Sequence, residues 1–149
     1  MARYRFSDFV LSPRRRVLMR GEREQPLIPR YFDLLNGVVE DWWGAMGHPW
    51  KIVFGRRRIG LPTVRFEVEF RAPAFLEDEL RFLLSVTRVG GKSVDLDHAV
   101  RRDGALLWRA SQTLVVTSLE THRSIAWPDD LRAALVAFQE APDAHHPAA

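Results

Sequence analysis

The hydrophobic period of this chain changes from helical to extended near residue 60, and that change limits the folds open to it. Upstream, Ile28, Tyr31, Phe32, Leu35, Val38, Val39, Trp42, Trp43 and Met46 recur at three- and four-residue spacing. This predicts a helix over about Pro29 to Met46, apolar on most of its surface and in need of cover. Pro29 suits the first turn and Gly47 the C-terminal stop. Gly37 falls mid-helix, at a cost of about 1 kcal/mol against alanine, which predicts close packing there. Downstream, the period is two. In "TVRFEVEFR", Val64, Phe66, Val68 and Phe70 share a face, and Arg65, Glu67, Glu69 and Arg71 take the other.

Three more segments follow the same rule. Leu80, Phe82, Leu84 and Val86 alternate inward, as do Val94, Leu96, His98 and Val100. The stretch "ALLWRASQTLVVT" puts Leu106, Trp108, Leu114 and Val116 on one face, and its polar middle suggests a bulge or a half-exposed edge. The links "VGGK" (89–92) and "RDGA" (102–105) read as hairpin turns with glycine where positive φ is needed. An earlier strand is expected at "RRRVLMR", and a closing amphipathic helix at "PDDLRAALVAFQEA" with Leu131, Leu135 and Phe138 as its stripe. One antiparallel sheet of about five strands must then cover one very apolar helix, and a curved sheet wrapped around it is the economical α+β solution. We expect one domain over residues 1–141, with Leu35, Val39, Trp42, Phe66, Val68, Leu84 and Val116 in one core, and a disordered tail at 142–149. A chain of 149 residues buries roughly 70% of its unfolded surface, enough for such a core.

Composition narrows the chemistry. The chain has no cysteine, which excludes disulfides, thiolate zinc sites and cysteine nucleophiles and makes the cytoplasm the default expectation. No apolar run is long enough for a membrane span, and "MARYRFSDFV" lacks a signal-peptide core. Net charge is +3, with basic triplets at Arg14-Arg15-Arg16 and Arg56-Arg57-Arg58 that suit phosphates or a solvated strand end. No nucleic-acid-binding signature accompanies them, and none is expected to be bound. No two histidines have zinc-ligand spacing, and no Gly-x-Ser-x-Gly, P-loop or dinucleotide fingerprint occurs. His98, on an apolar strand face, reads as a packed core residue, and His48 lies in a turn after the helix.

Together, "IPRYFDLLNG", "GLPTVRFEVEFRAPAFLEDEL" and "SVTRVGGKSVDLDHAVRRDG" resemble the central helix, second strand and third-to-fourth hairpin of the hotdog-fold acyl-CoA thioesterases. The nearer likeness is to the 4-hydroxybenzoyl-CoA thioesterase-like branch, over roughly residues 14–118. The resemblance implies hydrolysis of an acyl-CoA or aryl-CoA to a carboxylic acid and free CoA. It also implies a homodimer or homotetramer with its site between subunits, no metal, and no cofactor beyond the CoA of the substrate.

In that branch, the catalytic carboxylate usually lies in an Asp-x-Asp-x-x-Gly motif between the first strand and the central helix. Here an ungapped match puts Gly21 at the key position, whereas a shortened loop puts Glu24 there, with Glu22 at the other acidic position of "RGEREQPLIPRY". The family's following histidine is missing, and Asn36 stands where an acidic helix residue often occurs. A carboxylate before a helix start is in the right neighbourhood, because it can attack or act as general base while free helix N–H groups stabilise an oxyanion. The expected donors are the backbone of Arg30, Tyr31 or Phe32, or that of Gly60 in the turn before "LPTVRF". Asn36 could hold a water or the thioester carbonyl. Family members hold CoA phosphates near the third-to-fourth hairpin, which nominates Arg88 and Lys92, with Arg56, Arg57 and Arg58 as further candidates. Trp42, Trp43, Trp50 and Phe54 are candidates for an acyl or aryl pocket. The alternative is a catalytically silent hotdog module that binds an acyl thioester or a partner protein; a dehydratase is a weaker reading.

Overall fold

The computed structural model describes residues 4–6, 9–12, 17–20, 23–25, 27–72, 78–141 and 146–148, with side chains over 35–72 and 78–141. Four short strands, β1 (Tyr4–Phe6), β2 (Phe9–Ser12), β3 (Val17–Arg20) and β4 (Arg23–Gln25), pair in sequence as an antiparallel meander. Helix α1 follows over Leu27–Ala45, one or two residues from the expected bounds. It stops at Gly47, whose φ is +87°. Gly47 N–H donates to Gly44 O at 3.0 Å and His48 N–H to Trp43 O at 2.9 Å, the paired bonds of a Schellman cap.

A π-helical turn, Lys51–Arg56, then leads to β5 (Ile59–Gly60) and the edge strand β6 (Thr63–Phe70). Next come β7 (Arg81–Val89), β8 (Ser93–Arg102) and β9 (Ala105–Val115), then β10 (Thr117–Ser118), helix α2 (Asp129–Glu140) and β11 (His146–Ala148). The main sheet has the order β11-β7-β8-β9-β6, and every pairing in it is antiparallel. It has five strands, but its fifth is not the one expected at "RRRVLMR". The described part of that stretch, β3, pairs instead with β2 and β4. The fifth strand is β11, in the stretch expected to be a disordered tail, and it pairs with Phe82–Leu84.

The β8–β9 turn matches its expectation, with Asp103 at φ +50° and Gly104 at φ +81°, both left-handed as a type I′ hairpin requires. The β7–β8 turn does not, because neither Gly90 nor Gly91 has a positive φ. Its glycine is needed for proximity: Gly90 N–H donates to Ser93 O at 2.8 Å, and a Cβ at Gly90 would stand 2.7 Å from Ser93 Oγ. Gly37 also departs from expectation. It is exposed, and a Cβ there would meet nothing within 4 Å.

The inner face of the sheet packs on α1 in two clusters where one was expected. Val38, Val39, Trp42 and Trp43 join Leu84, Val86, Val94, Leu96, Leu114 and Val116, closed off by Trp127, Leu131 and Leu135. Leu35 joins Val100, Leu107, Trp108 and Ala110, with Phe66, Val68 and Phe82 half-buried around them. A polar row divides them. His98 occupies the inward position between Leu96 and Val100, and Gln112 the one between Ala110 and Leu114. Phe66 and Val68 are only half-buried because β6 is an edge strand, with no further strand beside it among the described residues. A shift in register between Thr63 and Arg65 turns Val64 outward, and it is 61% exposed. The bulge expected in the polar middle of β9 sits instead where Val100 pairs with Trp108 and Arg101 with Leu106. Leu107 is the extra residue, which lets neighbouring Leu107 and Trp108 both be buried.

Candidate functional site

The acidic stretch leads into the N-terminus of α1. Glu24 lies in β4, paired with Met19, with its strand ending at Gln25 and the helix beginning at Leu27. Glu22 lies outside the described residues. A helix that begins at Leu27 leaves the N–H groups of Leu27 and Ile28 without intrahelical partners, and Pro29 has no N–H. Arg30, Tyr31 and Phe32, the expected donors, are the fourth, fifth and sixth residues of α1, where amides turn back toward carbonyls four residues earlier. Gly60 is not in a turn. It is buried in β5 opposite Thr117, so close to Leu119 that a Cβ would stand 2.9 Å from its Cδ2. Asn36 lies on the exposed side of α1.

The aromatics nominated for an acyl pocket divide into two pairs. Trp42 and Trp43 are fully enclosed in the core, their ring centroids 5.2 Å apart, with Trp43 stacked on Trp127 and Trp42 edge-on to Phe138. In the single chain they face protein on every side, because the helix needed its large side chains for cover. Trp50 and Phe54 form a separate stack at 5.8 Å and 16° on the π-helical turn, where Phe54 is 43% exposed.

The nominated cations differ in how free they are. Arg57 makes a bidentate contact to Asp130, with Nη1 2.6 Å from Oδ2 and Nη2 2.9 Å from Oδ1. These hydrogen bonds hold the Asp130 carboxyl below its usual range and raise the guanidinium pKa. Arg57 thus ties the π-helical turn to the start of α2. Arg88 is exposed at a register shift, 3.8 Å from Asp95. Lys92, Arg56 and Arg58 are exposed and have no carboxylate partner among the described residues. Arg132, which sequence reasoning passed over, donates to Gly90 O at 2.8 Å and so braces the hairpin that carries Lys92. The acidic stretch and the basic turn flank opposite ends of α1, about 28 Å apart for a helix of this length.

Sequence reasoning also missed a buried relay. His98, as expected, is a packed core residue, 2% exposed. Its Nε2 lies 2.9 Å from Gln112 Oε1, and the Gln112 amide donates to Thr63 Oγ1 at 2.8 Å. With the Gln112 oxygen facing the ring, Nε2 carries the proton and Nδ1 keeps a bare lone pair. That Nδ1 is buried without a partner among the described residues. Burial pushes the imidazole pKa down, only partly offset by the Gln112 contact and the Asp97 charge. Alternation along β9 did signal this, since it puts Gln112 on the same face as Leu114.

Two open hollows of about 370 and 300 Å³ lie around Leu83 and Arg101 and include none of the nominated site residues. Among the described residues, no group of three His, Asp or Glu could hold a metal ion. No described helix is long and apolar enough to cross a membrane.

The antiparallel sheet and central helix recur in solved structures. A thioesterase superfamily protein from Jannaschia sp. CCS1 is 25% identical, with a TM-score of 0.69 over 91% of this chain and 88% of that one. The gentisyl-coenzyme A thioesterase BH1999 is 19% identical, with a TM-score of 0.67 over 89% of this chain and 95% of that one. A Staphylococcus aureus protein solved in complex with CoA is 17% identical, with a TM-score of 0.68 over 74% of this chain and 70% of that one. No curated protein matches the sequence. The family model of the thioesterase-like superfamily matches residues 28–135, from the first turn of α1 to Leu135 of α2. A match over that much of the sequence settles the family: this hotdog-fold chain belongs to the thioesterase-like superfamily.

Proposed function

We propose that this chain is an acyl-CoA thioesterase, with aryl-CoA among its candidate substrates, and that Glu24 is its carboxylate. The observation that carries the reading is the position of Glu24, in a strand that ends just before the free N–H groups of α1. Thioester hydrolysis needs a base or nucleophile beside an oxyanion site, and these two features supply both kinds of group. Glutamate has one more methylene than the family's aspartate and so reaches further from its backbone. In this reading, Glu24 activates water or attacks the carbonyl, and the Leu27 and Ile28 amides receive the oxyanion. Arg88 and Lys92 remain candidates for the CoA phosphates.

The assembly in this reading is a homodimer or homotetramer in the cytoplasm. Its support is the edge strand β6, where Val64 and Phe70 are 61% and 41% exposed and which has no further strand beside it among the described residues. Open apolar edges invite pairing with a second copy. The departure from the Asp-x-Asp-x-x-Gly pattern favours a second reading, a hotdog module that binds a thioester without turning it over. Glu24→Gln separates them. The thioesterase reading expects intact CoA affinity and turnover reduced by ~100-fold or more, the usual scale for losing a general base, with Glu22→Gln doing much less. Wild-type turnover in Glu24→Gln would remove Glu24 from the mechanism.

A further inference from the structure

We propose that the π-helical turn after α1 is the subsite for the nucleotide end of the substrate, with Trp50 and Phe54 taking an adenine ring and Arg56 and Arg58 its phosphates. The inference rests on the CoA-thioester reading and adds which surface holds which part of that molecule. It also moves Trp50 and Phe54 from the acyl pocket to the nucleotide.

Four observations converge on this turn. The first is its backbone: Lys51–Arg56 is π-helical, closed by Arg57 N–H on Ile52 O at 2.9 Å, a rare geometry that is frequent at functional sites. Second, Trp50 and Phe54 stack within 16° of parallel, yet Phe54 stays 43% exposed. Beside it, Gly55 is exposed and a Cβ there would meet nothing within 4 Å, so a flat ring can approach. Third, Arg58 has a φ of +55°, a left-handed conformation uncommon outside glycine and concentrated at ligand clamps. Fourth, the cations divide their work. Arg57 is consumed by its bidentate contact to Asp130, which anchors the turn, whereas Arg56 and Arg58 on either side are exposed with no carboxylate partner among the described residues.

A cationic, open aromatic surface suits a polar ring carrying phosphates better than an acyl chain, which needs enclosure. Guanidinium groups hold phosphate with charge-assisted, often bidentate bonds and add attraction to a π-face. The adenosine 3′-phosphate and pyrophosphate of CoA carry both features. The long pantetheine arm would then lead the thioester away from the turn; this chain's own Glu24 lies about 28 Å off at the far end of α1, so in the proposed homo-oligomer the thioester would meet the acidic stretch of a second copy.

Adenosine 3′,5′-bisphosphate is the probe, titrated by tryptophan fluorescence and calorimetry, with inorganic pyrophosphate as the phosphate-only arm. The proposal expects the nucleotide to bind and quench Trp50. Phe54→Ala and the Arg56→Ala/Arg58→Ala pair should each weaken it at least tenfold, and the arginine pair should also flatten its salt dependence. Pyrophosphate should bind more weakly and be indifferent to Phe54→Ala. All three side chains are exposed, so an unchanged melting temperature shows that the variants remain folded. Absence of nucleotide binding, binding that both variants leave intact, or pyrophosphate binding as tightly as the nucleotide would each overturn the platform. Turnover is read separately, on an acyl-CoA and on the same acyl group carried by pantetheine, which lacks the nucleotide. The variants should raise KM for the acyl-CoA and leave the pantetheine thioester unchanged; a KM unmoved by either variant counts against the platform. If wild type hydrolyses neither thioester, the thioesterase reading fails, while the titration still judges the platform on its own.

Discussion

Replacing Gln112 by leucine tests how the core is divided. The substitution roughly conserves volume but removes both hydrogen bonds of the relay, to His98 at 2.9 Å and to Thr63 at 2.8 Å. Thr63 is half-buried at the sheet edge and can turn to water, whereas His98 is 2% exposed and cannot. Its Nε2–H is left buried and unpaired, which costs about 1–3 kcal/mol. For a domain of this size, that lowers the melting temperature by roughly 2–4 °C per kcal/mol. His98→Leu together with Gln112→Leu removes both partners and joins the two apolar clusters, so the double variant should recover most of the loss.

The same pair has a pH signature. Burial lowers the folded-state pKa of His98, so between that value and the unfolded value near 6.5 the unfolded chain binds more protons. Stability therefore rises with pH through this window, is fully present above about 6.5, and is lost on acidification at up to about 1.4 kcal/mol per pH unit. The double variant should lack this component. Urea melts at several pH values between neutrality and mild acid provide the assay. The reasoning is refuted if Gln112→Leu is as stable as wild type, if the double variant is no better than the single, or if the acid slope survives the loss of His98.

Two further outcomes follow from the geometry. Gly37→Ala should stabilise a single chain by about 1 kcal/mol, because the position is helical and a Cβ there meets nothing within 4 Å; a loss of stability or of assembly, seen in melts and sedimentation, would mean that a second copy packs there. Phe70→Lys on the edge strand should leave the monomer fold intact, since Phe70 is 41% exposed, and shift the sedimentation profile toward monomer; an unchanged oligomer would move the interface off β6.

The elements whose pattern is local and repeated were legible in the sequence. Strand alternation through Leu84, Val86, Val94 and Leu96 and the helical stripe through Leu35, Val39 and Trp42 both match the buried set. Each such face must be covered whatever the topology, so period alone identifies it. What depends on partners distant in the chain was not legible. The fifth strand proved to be β11 because pairing is a choice among edges, and alternation does not name the partner. Phe66 and Val68 carry the pattern of core residues but lie on the edge strand, so a single chain half-covers them. Gly90 and Gly104 look alike in sequence, yet only Gly104 needs a positive φ, whereas Gly90 answers to the approach of Ser93. At the candidate site, the acidic stretch and the helix start are neighbours in sequence, so the strand that carries Glu24 ends next to α1. The tie from Arg57 to Asp130 spans 73 residues and leaves no local trace.

The most direct test of the central claim is thiol release from a panel of aryl-, short-chain and long-chain acyl-CoAs, with Glu24→Gln run alongside the wild-type chain. The account predicts turnover of at least one thioester by wild type, and a fall of ~100-fold or more in the variant with its CoA affinity retained. Tight CoA binding with no turnover of any thioester would contradict it and leave this chain a binding module built on a thioesterase fold.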